Sequence, residues 1–151
     1  LIAALLITQF VGIPCTVLLG KIAEKIGSKP SLYISLFTYV IILIAGYFMQ
    51  TALHFYILAV MVGFVQGGSQ SIARSIYSKL VPKSRSAEFF GFLSVSGKFA
   101  SIFGPLVFGV VNQMTGSGRL GIISLLVFFL AGIAMLAAVN LDKGIKQAEL
   151  N

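Results

Sequence analysis

The sequence predicts an all-α integral membrane fold of five transmembrane helices, and three observations carry that prediction. Of 151 residues, 58% are hydrophobic and 10% charged, against roughly 25% charged in a soluble domain. A water-soluble globule of this length has no interior large enough to hide so much apolar side chain, and disorder demands the opposite balance. The apolar residues also fall into five continuous runs, each near the ~20 residues that carry a helix across a hydrocarbon core. None shows the dyad alternation of a barrel strand. Finally, five crossings make the connections alternate sides, and Lys21, Lys25, Lys29, Lys79, Lys83, Arg85, Lys143 and Lys146 all fall on one of them. The other side carries Arg119 and the neutral His54. The positive-inside rule then assigns the basic side, with the C-terminus, to the cytoplasm; a cell (inner) membrane is the expected location.

The net charge of +7 does not point to nucleic acid, because the basic residues sit in short clusters between apolar runs and not along one soluble face. No cofactor or metal is implied. The one cysteine has no internal partner, and no Cys/His cluster has zinc-ligand spacing. His54 is the only histidine and falls in an outer turn, so no Ser-His-Asp arrangement argues for an enzyme.

The first span is predicted over Leu1–Leu19. It opens inside an apolar run without an initiator Met or a basic n-region, so the chain is expected to be a piece of a longer protein and not to begin with a signal peptide. The connection Lys21–Pro30 is read as a short basic turn, with Gly20 and Gly27 permitting close backbone approach. Its carboxylate, Glu24, is placed to cap a neighbouring helix N-terminus or to pair with an arginine. The second span, Leu32–Met49, carries no charge and is expected at the lipid-facing periphery. Gln50–His54 is a tight turn.

The third span, Phe55–Ser78, holds the densest polar cluster. At helical spacing Gln66, Gln70 and Arg74 share one stripe, and Gly63, Gly67, Ser71 and Ser75 form an adjacent small-residue ridge suited to helix packing. The glutamines either line a solute path or hold helices together; Arg74, near the basic end, either acts there or snorkels to the interface. After Leu80–Ser86 comes the fourth span, Phe89–Val111. Lys98 lies about ten residues beyond Glu88, hence roughly 15 Å into a core of about 30 Å. A charge at that depth costs at least a few kcal/mol, so it is expected to face a cavity or a partner and not lipid. Ser94 and Ser101 share its side of the helix, and Gly104-Pro105 marks an expected kink. The connection Gln113–Arg119 leads to the uncharged fifth span, Leu120–Val139, also expected at the periphery. Leu141–Asn151 reads as a polar cytoplasmic tail. All four acids, Glu24, Glu88, Asp142 and Glu149, sit at or beyond the cytoplasmic rim.

Gly20, Glu24, Lys25, Gly27 and Lys29 match the loop signature of the major facilitator superfamily, with Glu24 replacing the usual Asp and Ser28 standing where a base is commoner. The chain therefore resembles that superfamily. The resemblance implies helices eight to twelve of a twelve-helix transporter, with helix seven and the whole N-terminal half missing. The stretches Phe64–Arg74 and Ala87–Pro105 narrow it, since they look like the vacuole-effluxer-like branch. That resemblance implies a secondary transporter that moves a small solute across the bilayer by alternating access, with amino-acid export among its activities. On this reading Gln66, Gln70, Ser94, Lys98 and Ser101 are substrate-cavity candidates. Gly20, Glu24, Lys25, Gly27, Lys29, Arg74, Glu88, Gly104 and Pro105 are gating or interface candidates. The expected partners are the solute, the lipid bilayer and the missing N-terminal half. The alternative class is a lipid-handling or receptor-like scaffold whose polar residues only specify packing.

Overall fold

A computed structural model describes residues 2–150. Leu1 of the first predicted span and Asn151 of the predicted tail lie outside the described residues. The elements are α1 (Ile2–Ile26), α2 (Ser28–Tyr47), α3 (Ala52–Leu80), a 3-10 turn (Lys83–Arg85), α4 (Ser86–Thr115), α5 (Gly118–Ser124), α6 (Leu126–Ala138) and α7 (Leu141–Glu149). Among the described residues five helical stretches are long and apolar enough to cross a membrane: α1, α2, α3, α4 with the turn before it, and α5 with α6 as one span.

The predicted connection Lys21–Pro30 is almost wholly helical. α1 continues to Ile26 and α2 begins at Ser28, so only Gly27 separates them. The reason is packing: Ile22 and Ala23 lie against a buried cluster of Leu19, Ile72 and Ile76, so the polar segment keeps one apolar face and continues the helix. Gly27 adopts φ +97° and ψ 153°, a region that is essentially glycine-only. Pro30 falls in the first turn of α2, where a missing N–H breaks no helical bond. Gly27→Ala is expected to destabilise the full-length protein by about 1–3 kcal/mol. Gly20→Ala, with nothing within 4 Å of the added carbon, is expected to cost nothing measurable; thermal unfolding in detergent separates the two.

The tail has a structure of its own. Leu141–Glu149 is helical, with Asn140 Oδ1 accepting from the Lys143 N–H at 3.2 Å. Its strongly amphipathic face brings Leu141 against the Leu19–Ile72–Ile76 cluster and Gly144 onto Leu80. These contacts gather the ends of α1 and α3, the start of α2 and α7 at one basic end of the bundle.

The second span is not simply peripheral. One stripe of α2 buries Ser31, Ser35, Ile42 and Gly46, while Ile34, Phe37, Ile41 and Ile44 on the other are exposed. Hydropathy misses this because small hydroxyl and glycine positions, not large apolar ones, let α1, α3 and the fifth span approach. Ser35 Oγ donates to the Ser31 carbonyl at 3.1 Å, and the buried Ser31 hydroxyl has no partner among the described residues. The fifth span bends at Leu125, where i→i−3 bonds from the Leu125 and Phe128 amides replace the α pattern. It runs beside α2 and is tied at both ends: Lys29 Nζ donates to the Val139 carbonyl at 2.5 Å, and Arg119 Nη2 to the Met49 carbonyl at 3.0 Å. Tyr39 and Phe129 stack between these ties with ring centroids 4.9 Å apart.

α4 is the longest helix, yet none of its described residues is buried. It packs on α5 and meets α3 where the Tyr77 hydroxyl donates to the Phe89 carbonyl at 2.8 Å and its ring stands edge-on to Phe90.

Candidate functional site

The closest helix pair is α1 with α3, and small residues cause it. A carbon added at Gly63 would sit 2.6 Å from the Thr8 carbonyl oxygen, which is backbone and has nowhere to go. Added at Gly67 it would overlap Thr16 Oγ1, and at Gly68 the Leu19 side chain. The facing hydroxyls are satisfied within their own helix: Thr8 Oγ1 donates to the Ala4 carbonyl at 2.8 Å, and Thr16 Oγ1 to the Gly12 carbonyl at 2.7 Å. Thr8 Oγ1 also lies 3.2 Å from the Ala59 carbonyl on α3, a cross-helix contact of the kind that binds membrane helices.

Along the open edge of this contact runs a polar cleft of about 330 Å³. Thr8, Gln9 and Thr16 line it from α1, and Gln66 and Gln70 from α3, with glycines between them. Among the described residues no charged side chain lines it. Gln66 is half-buried and Gln70 exposed. Among the described residues, the side-chain amides of Gln9, Gln66 and Gln70 make no hydrogen bond, while the Gln66 carbonyl accepts from Ser69 Oγ at 3.1 Å. Each free amide offers two N–H donors and a carbonyl acceptor. The cleft can therefore hold a small polar molecule through hydrogen bonds without supplying a charge.

The sequence reading names Gln66 and Gln70 but not their partners across the cleft. Thr8, Gly12 and Thr16 repeat every fourth residue, the same signal as Gly63 and Gly67, and that match was the available clue. Ser94, Lys98 and Ser101 are not brought to this cleft. All three are exposed on α4, with Ser94 Oγ donating to the Phe90 carbonyl at 2.9 Å and Ser101 Oγ to the Lys98 carbonyl at 2.7 Å. The helix runs on through Gly104 and Pro105.

The remaining candidates lie toward the basic end. Gly20 has open space beside it, and Glu24 and Lys25 are exposed on the last turns of α1. Gly27 forms the α1–α2 break, and Lys29 is the α2–α6 tie described above. Arg74 is exposed on α3. Glu88 pairs with Arg85, its Oε2 lying 2.7 Å from Nη2 and 3.0 Å from Nε. Both side chains are about two-thirds exposed, so this pair organises the start of α4 and adds little stability. Among the described residues no three His, Cys, Asp or Glu side chains gather into a metal site.

Over residues 1–149 the chain matches the family of vacuole effluxer Atg22-like proteins. It is 45% identical over 139 residues to an uncharacterized MFS-type transporter, YxiO, of Bacillus subtilis, an alignment covering 92% of this chain and 32% of that protein. It is 36% identical over 94 residues to autophagy-related protein 22 of Yarrowia lipolytica, covering 62% of this chain and 16% of that protein. The corresponding protein of Eremothecium gossypii is 35% identical over 94 residues, with 62% and 18% covered. The chain thus spans about a third or less of the length of these relatives. No solved structure matches it.

Proposed function

The chain belongs to the vacuole effluxer Atg22-like family, and from that premise we propose that it forms helices eight to twelve of a secondary transporter that exports small polar solutes, amino acids among them. The observation that carries this reading is the cleft between α1 and α3, where the amides of Gln66 and Gln70 remain free to bind. A neutral, hydrogen-bonding wall of this kind suits the polar body of an amino acid; a cation for its carboxylate comes from outside this wall, and Lys98 on α4 is the candidate. On this reading the N-terminal half supplies the opposite wall, and alternating access is a rocking of the two halves about a midplane site. The basic end faces the cytoplasm, following the positive-inside rule, in the cell membrane. Glu24 stands in the last turn of α1, Glu88 in the first turn of α4 and Asp142 and Glu149 on α7, all toward the basic end, so on this reading a carboxylate that couples transport to protons belongs to the missing half.

The test is transport of labelled amino acids by the full-length protein in proteoliposomes. Gln66→Ala is expected to raise KM roughly threefold to tenfold, the worth of one or two neutral hydrogen bonds. Gln113→Ala, outside the cleft, should leave KM unchanged. Saturable transport with the same KM in both variants would remove the cleft from the solute path.

A further inference from the structure

The basic end holds a second recess, separate from the cleft. It measures about 580 Å³ and lies between the end of α3, the 3-10 turn and the second half of α7. Lys79 and Lys83 line it together with Val81, Ile145 and Ala148, its apolar floor, and with Ser78, Ser84 and Glu149. Lys79 and Lys83 are exposed, and among the described residues neither ammonium has an ion-pair or hydrogen-bond partner. Lys143 and Lys146 on the outer face of α7 add to the same positive field.

α3 is one of the helices able to cross a membrane, and Lys79 stands in its last turn. The recess therefore lies where the apolar stretch of the helix ends, at the depth of lipid headgroups. α7 is amphipathic, yet it spends its apolar face on Leu80 and the Leu19–Ile72–Ile76 cluster. Such a helix normally lies in the interface plane on its own; here it builds a wall. We propose that this corner is a binding site for one anionic phospholipid. The headgroup phosphate lies between the Lys79 and Lys83 ammoniums, and the glycerol and first acyl carbons lie on Val81, Ile145 and Ala148. A phosphodiester provides the charge that two unpaired lysines lack, and the acyl chains match a floor that a free anion would leave unsatisfied. The neighbouring bilayer supplies that amphiphile.

The experiment uses the full-length protein in detergent, with native mass spectrometry and thermal unfolding as readouts. Dioleoyl phosphatidylglycerol is compared with dioleoyl phosphatidylcholine and with inorganic phosphate. Phosphatidylglycerol is expected to stay bound and to raise the unfolding temperature. A Lys79→Gln/Lys83→Gln variant should weaken binding roughly thirtyfold, at about fivefold for each lysine near an anionic surface. Lys21→Gln/Lys25→Gln removes the same charge from the end of α1 and should change binding much less. Ala148→Phe fills the floor at constant charge and should also weaken binding, which keeps the test decisive if the double variant does not purify. Equal losses in the two lysine pairs would overturn the site in favour of diffuse attraction. So would phosphatidylcholine binding as tightly, or inorganic phosphate competing as well as lipid.

Discussion

Gly63→Ala is expected to destabilise the full-length protein by about 3 kcal/mol or more, at or above the upper end of overpacking costs. The added carbon meets the Thr8 carbonyl oxygen at 2.6 Å and the Thr8 Cα at 3.0 Å, so relief requires α1 and α3 to separate and not merely a side chain to turn. Separation also lengthens the contact between Thr8 Oγ1 and the Ala59 carbonyl, now 3.2 Å. Gly67→Ala should cost less, because Thr16 can change rotamer at the expense of its bond to the Gly12 carbonyl. Gly132→Ala, with nothing within 4 Å, should be neutral or gain up to about 1 kcal/mol from the helix preference of alanine over glycine. Thermal unfolding of the purified variants checks the order. Equal behaviour of Gly63→Ala and Gly132→Ala would mean that close approach is not what joins the two helices.

Lys98→Met is expected to lower transport efficiency about tenfold to a hundredfold, mainly through KM, while leaving the unfolding temperature near that of the parent. The range is the worth of a hydrogen bond to a charged group. Lys98 stands about ten residues along α4 from its exposed start, and an ammonium at that depth is not left facing lipid. If it receives an anionic group of the solute, methionine keeps its bulk and removes only the attraction. If instead it pairs with an acid on the missing half, the same change strands a buried carboxylate and the stability falls by several kcal/mol. The two readouts therefore separate a solute-facing role from a packing role. Unchanged transport together with unchanged stability would exclude both.

What could be read in advance follows from the range over which each signal acts. The five spans were legible because twenty consecutive apolar residues have one stable solution in a bilayer. The packing of α3 was legible because Gly63 and Gly67 repeat at a helical interval. The partner surface on α1 was not drawn out, since Thr8, Gly12 and Thr16 gain meaning only beside α3. Lys21–Ile26 and α7 were missed for a related reason. A polar nine-residue helix is unstable alone, and what holds α7 is Leu80 and the distant Leu19–Ile72–Ile76 cluster. The same limit applies to the candidate site. Gln66 and Gln70 share a stripe that one helix determines, whereas the placement of Ser94, Lys98 and Ser101 relative to them depends on how α4 docks. Within this chain α4 docks on α5 and keeps those three residues away from the cleft.

The turn at Gly27 has a mechanical consequence. One residue spans at most about 3.6 Å, and here it connects two long helices without a linker on either side. A piston stroke of α1 along its axis has no slack to absorb it and must drag α2 with it. At its far end α2 is held by the bond from Arg119 to the Met49 carbonyl, so the stroke would be passed on to α5. Axial sliding of single helices is thereby a stiff coordinate in this bundle, and tilting of the linked helices as one body is the soft one.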